Sequence, residues 1–187
     1  MEIVPKVSEN HRRERRRQIL DGARRAFAAH GYEGATVPEL EAATGLSRGA
    51  IFSYFPSKLD LFVALAEDDQ RQLGQLWIDK GFEAVIRHIG SEDPAWIGVY
   101  LDVPRMLRTD ETLRERWRAF NPQLRTELVR RLAAEQAAGT LRSDLSLDAI
   151  GRFFGVVLDG LALQQGVGFG IDVEGTLELV RSAIAPQ

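Results

Sequence analysis

The stretch TGLSRGAIFSYFPSK, Thr44 to Lys58, sets a cation and two small residues (Arg48, Gly49, Ala50) at the head of a short apolar segment that Pro56 stops. Amides at a helix N-terminus are unpaired and carry partial positive charge, so such a head suits an oxyanion such as phosphate. Further cations precede it: Arg12, Arg13, Arg15, Arg16 and Arg17 fall within six residues. Cations at a helix start oppose its dipole at roughly 0.3–1 kcal/mol each, a cost that a polyanion offsets. Taken alone, the arginine run also fits a solvated helix start in a chain with only three lysines. Tyr54 fits a packed ring with its hydroxyl at the surface as well as it fits a phosphate contact. Lys58, at a helix start after YFPS, is well placed to meet a nucleic-acid backbone.

Enzyme chemistry finds no support. There is no HExxH, phosphate loop or GxSxG, and His11, His30 and His88 have no ligand spacing. Asp68 and Asp69 occupy successive helix positions and cannot face one site together. The chain has no cysteine, which removes disulfides, thiol nucleophiles and thiolate metal sites. The expectation is no catalytic residue, no cofactor and no metal.

The elements that must position these cations are helical. The 187 residues, 44% hydrophobic and 27% charged, have the composition of a globular protein. No apolar run approaches the ~20 residues that cross a bilayer, and no leader pattern follows the basic N-terminus. A cytoplasmic protein with no membrane partner is expected. Net charge is −3, yet residues 1–60 hold 10 Lys and Arg against 8 Asp and Glu, whereas residues 61–187 hold 14 against 19.

Apolar spacing predicts an all-α protein of about nine helices. A first helix over residues 12–30 is followed by a short one over 37–44, with Thr36 as N-cap and Glu39 at the capping-box position. A third, capped by Ser47, covers 48–55, and a fourth opens at Ser57 and reaches about 79. Further helices are expected over 82–89, from Pro94 to about 109, over 111–138 with a kink or division at Pro122, and over 147–165 and 173–185. This divides the chain into an N-terminal helix-turn-helix domain over 1–60 with a basic arm, and a larger helical domain over 61–187. Val37, Leu40, Leu46, Ile51 and Phe55 should close the first core against Ile19 and Phe27.

The stretch from Ile19 to Leu65, with ILDGARRAF, GYEGATV and GLSRGAIFSYFPSK in order, resembles the DNA-binding domain of TetR-family transcriptional regulators. The resemblance implies a homodimeric repressor whose third helix enters the major groove of a double-stranded DNA operator, with an effector cavity in the C-terminal helices. It places Thr36, Tyr54 and Lys58 at phosphate-contact positions, and Ser47, Arg48, Gly49 and Ser53 on the groove-facing side. Arg12 and Arg13 join them as cations of the arm. Glu41 departs from the pattern by replacing a small residue, so it must turn to solvent or find a basic partner. LEAATGLSRGAIF and MLRTDETLRERW (Met106 to Trp117) are also similar to the actinobacterial aconitase-repressor branch of the family. That likeness implies an anionic effector such as citrate with magnesium, although Arg181 stands about where the branch keeps a metal-anchoring acid, with Glu178 one turn earlier.

In the C-terminal half, polar residues interrupt apolar faces. Trp96, Asp102, Arg105, Trp117, Asn121 and Arg130 are the candidate lining of a small-molecule site, because an arginine near apolar walls needs an anionic partner from protein or ligand. Surface exposure or internal pairing, as between Asp102 and Arg105 one turn apart, is the other reading. The last two helices carry Phe154, Val157, Leu158, Leu161, Leu177 and Val180, with Gly151, Gly155 and Gly160 permitting close approach. They form either a four-helix dimer interface or the closure of the monomer core. A protein-binding helical adaptor is the rival function; the salt dependence of binding to random duplex separates the two.

Overall fold

The computed structural model describes residues 9–120 and 122–186, and these form eleven helices with no strand. They are α1 (Glu9–Gly34), α2 (Val37–Thr44), α3 (Arg48–Phe52), α4 (Lys58–Lys80), α5 (Phe82–Ser91), α6 (Pro94–Tyr100), α7 (Asp102–Thr109), α8 (Glu111–Arg118), α9 (Pro122–Ala137), α10 (Leu147–Gly166) and α11 (Val173–Ile184).

Two divisions raise the number above the nine expected. The segment after Pro94 breaks between Tyr100 and Asp102, because Pro104 has no amide to return to the Tyr100 carbonyl. The long segment after Glu111 parts ahead of Pro122, which opens α9 as its first residue. Asp110 takes extended backbone, ends α7 and caps α8 by accepting from the Leu113 amide at 2.9 Å. The third helix is shorter than its apolar pattern: α3 ends at Phe52, and Tyr54 and Phe55 close as turns on the Ile51 carbonyl.

Compact packing divides the chain into two units, one ending at Ala66 and the other beginning at Glu67, so the division lies within α4. In the first unit, Ile19, Phe27, Leu40, Ile51 and Phe55 are buried, while Val37 and Leu46 are half-buried. Phe27, Tyr32 and Phe62 add a ring cluster with centroids 4.9–5.9 Å apart. Gly22 lets α1 touch α2: a Cβ there would lie 2.7 Å from the Thr44 Cα and 2.8 Å from the Ala43 oxygen.

In the second unit, Trp77, Phe82 and Phe154 pack ring against ring at 4.0–5.1 Å. Around them lie Val85, Ile86, Ile97, Leu132, Leu141, Ile150, Leu161, Leu177 and Val180. No helix among the described residues is long and apolar enough to cross a membrane.

Candidate nucleic-acid interface

The turn between α2 and α3 is built by its end groups. Gly45 closes α2 in the left-handed region at φ 70°, and its amide donates to the Glu41 carbonyl. The Thr44 hydroxyl donates to the Leu40 carbonyl at 2.7 Å and accepts from the Leu46 amide at 3.2 Å. Helix α1 holds the same corner from behind, Gln18 donating to the Thr44 carbonyl at 3.0 Å and Arg25 to the Ala43 carbonyl at 2.8 Å. At the other end of α2, Glu39 accepts from the Thr36 amide at 3.1 Å, the expected capping-box partner.

This frame presents a polar face. Ser47, Arg48, Gly49 and Ser53 are all exposed, as is Thr36. The Ser47 hydroxyl accepts from the Ala50 amide at 3.4 Å, and Ser53 donates back to the Ala50 carbonyl at 2.8 Å. A Cβ on Gly49 would meet nothing within 4 Å, so the backbone there is open to an approaching surface.

One expectation about this helix head is corrected. The Arg48 amide is taken, donating to the Glu41 carboxylate at 2.6 Å, and does not await a phosphate. Half-buried Glu41 takes a backbone N–H as its partner.

The surrounding cations differ in freedom. Arg12 is exposed, and Arg13 is exposed with Glu9 at 3.7 Å, a contact of small worth in water. Arg16 lies over the Phe55 ring at 5.5 Å, so part of the arginine run is packed. Tyr54 is half-buried. Lys58 is engaged: its ammonium donates to the Tyr32 carbonyl at 2.9 Å and the Glu33 carbonyl at 3.3 Å, and lies 4.6 Å from the Tyr32 ring centroid. It serves the end of α1, whose last carbonyls lack helical partners.

In the second unit the five described candidate effector residues scatter over four helices. Trp96 on α6 is buried, and its indole donates to Asp69 at 2.6 Å. Asp102 and Arg105 on α7 face each other at 3.4 Å, the internal pairing weighed for them. Trp117 on α8 is half-buried and stacks on Phe120 with centroids 6.3 Å apart. Arg130 on α9 is exposed; its neighbour Arg131 turns inward onto the Ile78 carbonyl and to Glu135 at 2.9 Å. Asn121 lies outside the described residues.

The sequence reading missed a polar run in mid-α4, Glu67-Asp68-Asp69-Gln70-Arg71-Gln72. Besides the Asp69–Trp96 bond, Arg116 reaches Glu67 at 3.0 Å and Gln70 donates to the Tyr100 hydroxyl at 2.8 Å. Arg71 lies 5.4 Å from the Phe120 ring centroid. Burial pushes the Tyr100 hydroxyl up to about 12, with Gln70 opposing and the Asp69 and Asp159 carboxylates adding to the rise. Six consecutive polar residues, Glu67 to Gln72, inside a long helix were the available signal.

The last helices also redistribute the apolar residues named for an interface. Phe154, Leu161, Leu177 and Val180 are buried in the protomer's own core, and Val157 and Leu158 pack against it. The outward stripe of α10 is Phe153, Val156, Gly160 and Leu163, continued by Val167 just past its end, with Leu179 on α11; Val156 is 72% and Leu179 73% exposed. A Cβ on Gly151, Gly155 or Gly160 would meet nothing within 4 Å in the protomer. Arg181 forks onto Glu83 at 2.7 and 2.5 Å, so the position compared with a metal-anchoring acid is an ion-pair partner.

A helix-turn-helix head with an exposed polar third helix, joined to a larger helical unit, is the architecture of a one-component DNA-binding regulator. Residues 19–65 match the bacterial regulatory proteins of the tetR family, and residues 82–187 match the BetI-type transcriptional repressor C-terminal domain. The chain belongs to the TetR family, and so is a DNA-binding transcriptional regulator and not an enzyme.

It is 38% identical over 184 residues to the HTH-type transcriptional repressor AcnR of Corynebacterium diphtheriae, 97% of each chain. To the HTH-type transcriptional repressor Rv1474c of Mycobacterium tuberculosis it is 39% identical over 167 residues, 88% of this chain and 89% of the other. Among solved structures, Salmonella enterica GusR superposes with a TM-score of 0.73 at 19% identity, covering 95% of this chain and 96% of that one. The Bacillus subtilis regulator FadR, in complex with stearoyl-CoA, superposes at 0.65 with 19% identity, over 90% and 98% of the two chains. At these identities the solved structures bear on the fold alone.

Proposed function

We propose that the chain works as a homodimeric repressor that binds a near-palindromic operator through α3 and is released by a small-molecule effector held in the second unit. The observation that carries this reading is the exposed set Ser47, Arg48, Gly49 and Ser53 on a helix locked from both ends. Arg48 is the proposed base reader, bidentate to guanine, while Thr36, Tyr54, Arg12 and Arg13 meet phosphates. Lys58 joins them by exchanging its carbonyl partners for a phosphate.

The proposed partner surface is the outward α10 stripe with Leu179. Its spacing of three and four residues gives one helix face, and an exposed apolar stripe of this kind suits an isologous two-fold contact. Val156→Arg should therefore leave the protomer folded and shift it to monomer in sedimentation. A folded dimer would move the interface elsewhere.

For the effector we propose a small anionic metabolite, citrate being the first to test. Likeness to AcnR repressors extends through the second unit, and Arg130 and Arg105 are exposed cations there. Asn121, Trp96 and Trp117 complete the proposed lining with Asp102. The effector must bind the free and operator-bound conformations with different affinity, and α4, which carries residues of both units, is the element to transmit the change. Thermal-shift measurements with tricarboxylates, with and without magnesium, test this; a rise in melting temperature matched by loss of operator binding supports it, and no shift removes citrate.

A further inference from the structure

Helix α3 is only five residues long, too short to be stable by its own cooperativity, so its ends decide its geometry. The Ser47 cap is long at 3.4 Å. The stronger tie is the bond from the Arg48 amide to Glu41 at 2.6 Å, a charge-assisted contact reaching back from α2. A single side chain thus joins the two helices of the motif at their polar edge, while each also sends an apolar residue, Leu40 and Ile51, into the buried core.

The same carboxylate has a second effect. It occupies the first amide of α3, and its negative charge, beside the exposed Arg48 and Gly49, disfavours a phosphate there. Phosphate contacts are indifferent to sequence and supply nearly all non-specific affinity. Base contacts by side chains do not use this amide. A group that discourages the former and holds the reading helix still for the latter acts on discrimination.

We infer that Glu41 is a positioning residue that latches α2 to α3 and withholds the α3 head from phosphates, setting the ratio of operator affinity to random-duplex affinity. The inference rests on α3 being the groove-facing helix, which Arg48→Ala tests separately. If that variant keeps both affinity and base preference, the groove reading fails and Glu41 is not at issue.

The experiment uses the full chain. A duplex is selected with the wild-type protein from a randomised library, and fluorescence anisotropy then compares it with a random-sequence duplex of equal length at several salt concentrations. Glu41→Ala should tighten random-duplex binding about two- to fivefold, the scale of one charge at a helix terminus, while the selected duplex gains nothing, so the ratio falls. Glu41→Gln, which keeps an acceptor oxygen without the charge, should fall between the two, and a thermal melt of each variant verifies folding. Hydrogen exchange at the Arg48 amide should quicken in Glu41→Ala. An unchanged ratio in both variants overturns the inference. So does reselection with Glu41→Ala yielding a new preferred base at one position, since that makes Glu41 a direct reader.

Discussion

The two units keep their polar groups in different places. In the first, the residues sealed inside are apolar, apart from Thr44, whose hydroxyl is spent on the Leu40 carbonyl and the Leu46 amide. Ser47, Arg48, Gly49 and Ser53 lie outside, exposed on and beside α3. In the second unit polarity is carried inward: Glu67 and Asp69 on α4, both half-buried, each find a side-chain partner on another helix, and buried Gln165 on α10 donates to the Glu92 carbonyl at 3.1 Å. Under the proposed function the contrast has a reason: a surface that reads DNA needs exposed groups on a rigid backing, whereas a unit that admitted a small molecule would need polar groups already turned toward its interior. Burying such groups is tolerable only while they are paired.

The contrast yields graded expectations. Phe154→Ala should cost the most, about 3–5 kcal/mol in denaturant melts, because three rings meet there and the cavity cannot close. A loss under about 1 kcal/mol would show the second core to be loosely packed. Gly22→Ala should cost about 1–3 kcal/mol in the same assay, since the new methyl runs into the α2 backbone at Thr44 and Ala43 as well as into the Thr44 methyl. Trp96→Phe keeps an aromatic ring but removes part of the buried indole together with its donor to Asp69, and should cost about 1–3 kcal/mol; no change would mean that inward polarity in this unit is not structurally important.

The smallest effect concerns acid. The Arg181 hydrogen bond holds the Glu83 carboxyl below the ordinary carboxylate range, and Arg87 does the same for Glu174. A carboxyl depressed in the folded state contributes stability that is complete above its unfolded pKa and lost as pH falls through the folded one. Glu83→Gln should therefore lower the melting temperature slightly at neutral pH, with the difference from wild type vanishing in strong acid. A difference that widens in acid would contradict the pairing.

The first unit was legible because its signals are local. Thr36, Glu39, Gly45 and Ser47 sit where turn and cap chemistry demands, and the apolar spacing of Ile19, Phe27, Leu40, Ile51 and Phe55 named its core. The partner of Glu41 was not legible, because a carboxylate bonding a backbone amide seven residues on leaves no mark in residue types. The second unit was harder for a different reason. Helix α10 is apolar on two faces, so periodicity alone could not separate the inner set, Phe154 and Leu161, from the outer one, Phe153, Val156 and Leu163. Arg130 and Arg131 differ by a helix step of about 100°, and only the fold decides which turns inward.

Selection of duplexes from a randomised library by the full-length chain asks whether α3 reads DNA as one of a pair. Enrichment of a two-fold symmetric site, bound less tightly as salt rises and lost on Arg48→Ala, is the expected result. Failure to enrich any duplex, or enrichment of an asymmetric site indifferent to Arg48, would contradict it.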